Sequence, residues 1–409
     1  MPEMTALAER WRPYATLLHD RDGRSSWAGR LTSSAGDWLL LVALLSAAWA
    51  ASRDVTSVAY VVAARAMARY VVLAMLGPLA ARLGRGPLLA LDLGRAATAA
   101  VLVLLSGADP LLASVTAAGL SGLLAALSSE ARASLMPSLA PRVRLGGLIA
   151  VDATIERLAF LVGTTAAAIL VSYDAPALLL AAAVSLAVGG LLVWLSLDGT
   201  MPSPSEAAPT TQERPLSVRR LAMLGGTSFT VAAMAAGMLV ALPALVERLG
   251  APAAGLGLPL AAVALGMVIG PLPVTRLLGH VALPLLLSAT VVLVALGLMA
   301  IGFIGWLALA AVVLVGLGIV GVTHDVLITV GARRVVSAGQ LPATSRALMA
   351  VAGGGQVVGA LVVGLAVPSL GLEATLVAVA VACILLTGVG LLVGSSEVSA
   401  SPSDRVAAA

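Results

Sequence analysis

Stretches of about twenty residues without a single charge recur along this chain, Leu221–Val246, Leu249–Thr275, Ala347–Leu372 and Ala374–Ser396 being the clearest. A helix crossing about 30 Å of hydrocarbon needs about 20 such residues. Composition agrees: 60% of the 409 residues are hydrophobic and 11% charged, with mean hydropathy +1.05. A soluble domain carries about 25% charged residues, so this one lacks the charge to cover a watery surface. Twelve spans can be drawn, from Asp37–Ser52 to Ala374–Gly394. The expected fold class is therefore all-α, a polytopic membrane protein. Its basic residues other than His are all Arg, a bias that fits GC-rich, bacterial coding.

One polar break divides the spans six and six. Asp198–Arg220 is crowded with Pro, Ser, Thr and charge, buries too little apolar area to fold alone, and reads as a flexible linker. The expected organisation is an N-terminal segment 1–36, a six-helix bundle 37–197, the linker 198–220, a second six-helix bundle 221–396 and a tail 397–409. Gly77-Pro78-Leu79 with Arg82-Leu83 closes the second span, and Gly270-Pro271-Leu272 with Arg276-Leu277 closes the eighth. The same motif at equivalent places suggests a duplication, hence two pseudo-symmetric bundles. Placing both termini in the cytoplasm puts seventeen Arg in inner segments and only Arg53 and Arg248 outside, as the positive-inside rule requires. Met1–Leu31 is polar, without the apolar core of a signal peptide. The expected location is the inner (plasma) membrane.

Several function classes fall away. The single Cys383 supports neither a disulfide nor a CxxC metal site. No Ser/His/Asp or Cys/His set, metal-ligand spacing or phosphate-binding loop is evident, so neither an enzyme nor a cofactor or metal is expected. A pI near 10.0 does not indicate nucleic acid, because the Arg residues are scattered among short loops without aromatic interleaving. The expected partners are the lipid bilayer and a small-molecule substrate, acting on a monomer.

The chemistry then rests on ionisable groups at membrane depth, each costing about 2.5–3.5 kcal/mol to insert. Arg65 and Arg69 share one face of span two, with Arg65 about 16 Å deep at 1.5 Å per residue. Both demand carboxylate or carbonyl partners, or an anionic substrate. Asp152 and Glu156 on span five offer two carboxylates on one face. Asp37 opens span one. His324-Asp325 lies in span ten, where adjacent residues point about 100° apart and do not pair by adjacency; Asp325 either exchanges protons or pairs with Arg333 or Arg334. These seven, Asp37, Arg65, Arg69, Asp152, Glu156, His324 and Asp325, are the candidate substrate- and proton-binding residues. Asp92 with Arg95, and Glu130 with Arg132, stand near helix ends and are expected to close loops. Gly266/Gly270 and Gly355/Gly359 are small-xxx-small pairs suited to close helix packing. Aromatics are only 3%, and Trp38, Trp49 and Phe229 are those placed near a cavity.

The opening Arg30-Leu31-Thr32-Ser33-Ser34-Ala35-Gly36-Asp37-Trp38, then Ala63-Ala64-Arg65, the Gly77–Arg85 loop, Leu91-Asp92-Leu93-Gly94-Arg95-Ala96, Glu130–Pro137 and His324-Asp325-Val326 together resemble the major facilitator superfamily. Within it they are most similar to the macrolide-efflux and enterobactin-exporter branch. The resemblance implies the major facilitator fold and a secondary transporter with alternating access. It further implies multidrug-type efflux of a small amphipathic organic molecule (drug, siderophore or secondary metabolite) by proton antiport. It assigns a cytoplasmic gate to Gly77, Arg82, Gly84, Arg85, Asp92, Arg95, Glu130 and Arg132, and a sliding surface between the halves to the two glycine pairs. Two places depart from the family pattern: Ala81 occupies the acidic position of the loop signature, and span five keeps only Gly163 of its antiporter glycines. Two other functions fit the same residues: a lipid or lysophospholipid flippase, since the Arg pair suits an anionic head group, and a transport-inactive membrane scaffold or sensor.

Overall fold

A computed structural model describes residues 21–80, 82–104, 109–139, 145–170, 175–196, 218–250, 253–270, 281–337 and 340–395. They form twelve helices. The first six are α1 (Arg21–Ser52), α2 (Val55–Ala80), α3 (Arg85–Leu104), α4 (Pro110–Leu139), α5 (Leu145–Leu170) and α6 (Ala175–Ser196). The second six are α7 (Val218–Arg248), α8 (Gly257–Ile269, entered by a 3-10 turn at Ala253–Leu256), α9 (Leu283–Phe303), α10 (Leu307–Val335), α11 (Leu341–Leu370) and α12 (Leu372–Ser395). Ten are long and apolar enough to cross a membrane; α8 and α12 supply shorter apolar stretches. The expected linker 198–220, apart from its last three residues, the second copy of the Gly-Pro-Leu motif beyond Gly270, and Ala81 lie outside the described residues.

α1 is already helical at Arg21, the first described residue, so residues 21–36 of the expected leading segment belong to the first helix. The reason lies in what that stretch touches. Ser26, Ser33 and Ser34 are buried, and Gly29 lies close against Gly189 and Val193 of α6. These polar side chains face protein. α2 is capped by Asp54, whose carboxylate accepts the Thr56 N–H at 3.0 Å, and it widens into a π-helical turn over Val72–Leu76 just before Gly77. α11 ends at Gly371, where φ is 83°, a conformation that glycine adopts without steric cost.

α1–α6 pack chiefly on one another, as do α7–α12, and the halves meet along two seams, α2 with α11 and α5 with α8. The face where α6 ends and α7 begins is the linker face. At the opposite face, the Thr56 hydroxyl donates to the Gly364 carbonyl at 2.9 Å across the α2–α11 seam, and Gly257 lies against the backbone of Thr164 and Ala168 across the other. Toward the linker face, Gly353 of α11 packs on Tyr70 of α2.

These contacts correct the expected sliding surface. Gly266 and Gly270 abut Val315 and Ile319 of α10, and Gly355 and Gly359 abut the backbones of Phe229 and Ala233 of α7. Both pairs therefore cement helices within the second half. The close approaches between halves belong to Gly77, Gly257, Gly353 and Gly364. Small residues permit close backbone approach wherever two helices cross, so their spacing alone does not tell which neighbour they meet.

Candidate functional site

The first half encloses two ionic clusters close enough for their charges to act on each other. α1 presents Arg30, Ser33, Ser34 and Asp37 at helical spacing i, i+3, i+4 and i+7, a polar stripe turned toward α3, α4 and α5. Asp37 binds Arg65 of α2, and its other oxygen meets Arg95 of α3 at 2.6 Å. Arg95 also reaches Asp92 at 3.1 Å. Asp92 is fully buried, pairs with Arg132 of α4 and accepts the Ser128 hydroxyl at 3.0 Å. Ser33 receives Arg132 at 3.1 Å and Arg95 at 3.4 Å. Arg30 grips Asp152 of α5 through two nitrogens and lies 3.5 Å from Glu156, which also accepts the Ser34 hydroxyl at 2.9 Å.

Arg30, Arg65, Arg95 and Arg132 thus face Asp37, Asp92, Asp152 and Glu156, four charges of each sign. Buried ions need such partners, because an unpaired one costs several kcal/mol. The two clusters form a network that is neutral as a whole.

Three expectations change. Arg65 pairs with Asp37 and hydrogen-bonds Ser121 at 3.3 Å instead of meeting Asp152 and Glu156, whose partner is Arg30. Asp92, Arg95 and Arg132 do not close loops; they are the buried centre of the network. Glu130 is also buried, and the charges acting on it are Arg346 of α11 and Arg69 of α2. Gly77 leaves room for this approach, because a methyl group there would stand 3.0 Å from Arg346 Cδ. Arg82 and Gly84 form the α2–α3 turn, and the Arg85 guanidinium lies 4.9 Å over the Trp194 ring of α6, within its own half.

The second half contributes little charge at this depth. His324 is 1% exposed and its Nδ1 stands 2.9 Å from the Thr290 hydroxyl of α9, so it faces the interior of its own bundle. Asp325 points elsewhere. It is exposed, and the charge acting on it is Arg157 of α5, not Arg333 or Arg334. Arg157 belongs to the first half and Asp325 to the second, so this charge acts between the halves. Glu156, one residue from Arg157, has 45% of its side chain exposed. One turn further along α5, Phe160 stacks on Trp38 of α1 with ring centroids 4.0 Å apart. Glu156 and Arg157 of α5 thus lie one turn from the Trp38–Phe160 pair, whose Phe160 ring is buried in the core. The sequence signal for this stripe is its i, i+3, i+4, i+7 spacing, three of whose four residues precede the expected start of the first span.

Membrane-length helices in two packed halves define a polytopic membrane protein. The chain belongs to the major facilitator superfamily, whose family model matches residues 27–345. No curated protein sequence matches it significantly. Among solved structures, a POT family transporter in complex with a thioalcohol-conjugated peptide is similar over 90% of this chain and 95% of its own, with TM-score 0.75 and 11% identity. The nucleoside transporter NupG gives TM-score 0.70 and 11% identity over 92% of this chain and 100% of its own. The human organic anion transporter MFSD10 (TETRAN) gives 0.65 and 16% over 91% and 100%. At such identities the likeness concerns the fold.

Proposed function

We propose that this transporter exports a small amphipathic organic molecule in exchange for protons, by alternating access between its halves. The observation that carries this is the half-exposed Glu156 carboxylate on α5, with its neighbour Arg157 acting on the exposed Asp325 of the other half. A polar or cationic head would meet the carboxylates, and the apolar body would lie on the apolar side chains around them. The neutral network beneath holds α1, α3, α4 and α5 in register, so that Glu156 keeps its position while cargo comes and goes. Asp325 has no opposite charge on its own helix face and is the group best placed to trade a proton for cargo. The likeness of Arg30–Trp38 and of His324-Asp325-Val326 to the macrolide-efflux and enterobactin-exporter branch supports the same direction of transport.

The test is dye retention in cells. Overexpression is expected to lower accumulated ethidium, and collapsing the proton gradient to restore it. Asp325→Asn is expected to abolish gradient-driven efflux while leaving the protein in the membrane, and Glu156→Gln to reduce it. Efflux of ethidium that persists in Asp325→Asn and without a gradient would end the antiport reading; unchanged accumulation of every amphipathic dye tried would end export.

A second reading, lipid translocation, draws on a different feature. A groove of about 520 Å³ opens beside the α2–α11 seam, lined by Tyr60, Met67, Leu112, Val115, Val357 and Leu361 among others. Apart from Asp109 its walls are apolar, as an acyl chain requires. Movement of head-group-labelled lipid in proteoliposomes, at a rate exceeding protein-free vesicles, would favour this alternative.

A further inference from the structure

At the face opposite the linker, one carboxylate oxygen joins the two halves. Glu247 Oε2, near the end of α7, accepts the indole N–H of Trp49 at 3.0 Å and the guanidinium of Arg53 at 3.0 Å. Both donors belong to the first half, at the end of α1 and in the turn to α2. Arg53 has φ 53°, a backbone conformation that side-chain-bearing residues rarely adopt, and its own N–H closes onto the Trp49 carbonyl at 2.8 Å. The neighbouring residue faces the other way. Arg248 pairs with Glu373 of α12 and donates to the carbonyls of Ile304 at 3.3 Å and Ile301 at 3.5 Å, at the end of α9. The end of α7 is thus pinned to its own bundle by one side chain and to the opposite bundle by the next.

We infer that Glu247 is a latch of this face, acting beside the Thr56–Gly364 hydrogen bond: the halves separate freely here once Trp49 and Arg53 let go of it. This goes beyond the identity of any cargo, since it concerns which residues position the halves for every transport cycle. The two bonds differ in strength. The Arg53 and Glu247 side chains are 61% and 49% exposed, so water replaces their ion pair at little cost. Trp49 is 4% exposed, and its N–H has no such substitute when the bond breaks. The indole bond therefore dominates.

Thiol labelling tests this without any substrate. Val55, 5% exposed at the start of α2, is changed to Cys in a Cys383→Ala background, and maleimide labelling of the full chain in nanodiscs is timed well below each variant's melting transition. Glu247→Ala is expected to raise the rate by about 5- to 30-fold, the population change that loss of two modest bonds produces. Trp49→Phe should raise it more than Arg53→Ala, and Glu247→Gln, whose amide oxygen still accepts from the indole, should fall between parent and Glu247→Ala. Should Glu247→Ala fail to fold, Trp49→Phe and Glu247→Gln decide the matter. A labelling rate unchanged in Glu247→Ala, or in Trp49→Phe, overturns the latch. Because no transport is read, that failure is distinct from a failure to export dye.

Discussion

Replacing Asp92 with Ala is expected to cost about 3–5 kcal/mol, the usual penalty for orphaning a buried ion, and to lower both the yield and the melting temperature of the purified protein sharply. Asp92 is 0% exposed and holds Arg95, Arg132 and Ser128 at once. Gly190 of α6 makes the space for it, since a methyl group there would stand 2.7 Å from Asp92 Cβ. Without the carboxylate, four guanidinium groups would share three acids inside a helical bundle. Asp92→Asn should be milder, because an amide oxygen still accepts hydrogen bonds. The sharper test is the double variant Asp92→Ala/Arg132→Met, expected to be more stable than Asp92→Ala alone, since removing both ions restores the balance. If the double variant melts no higher than the single one, side-chain packing rather than charge explains the loss.

Gly266→Ala and Gly318→Ala are each expected to destabilise the second half by about 1–3 kcal/mol through overpacking, and the pair to cost less than the sum of the two. The glycines are reciprocal. A methyl group on Gly266 of α8 would run into the Val315 carbonyl of α10 and stand 2.9 Å from the Ile319 nitrogen. One on Gly318 of α10 would run into the Val263 carbonyl of α8 and stand 3.0 Å from the Met267 nitrogen. Neither obstacle is a side chain that can swing aside, so the helices must move apart. Once they have, the second methyl group finds part of its room already made, and the energies couple. Thermal melts of the four-member cycle measure this. Strict additivity would show that the two contacts yield independently.

Much of the architecture was legible before any coordinates. The uncharged run from Leu221 to Val246 can only be a buried or lipid-facing helix, and the break after Leu197 separates two sets of six. The start of α1 was not legible in the same way: Arg30, Ser33 and Ser34 resemble an aqueous segment until α3, α4 and α5 are seen to supply their partners. The seven candidate residues were picked out by their cost in hydrocarbon, which is local and can be read one residue at a time. Their pairing is not local. Arg65 had Asp37, Asp152 and Glu156 as eligible partners, and helix packing gave it Asp37. Glu247 escaped notice because an acid at a helix end is cheap by itself; only the approach of Trp49 and Arg53 from the other half gives it a task.

The sequence by itself determined that this chain is a polytopic membrane protein built of helices, because a bilayer interior leaves apolar runs of that length no other stable state. The tertiary structure decided which Arg meets which acid, which glycine faces which helix, and which charge of the opposite half acts on Asp325. Charge and size can be balanced in many equivalent ways along a chain, and only the packing of helices in three dimensions selects one.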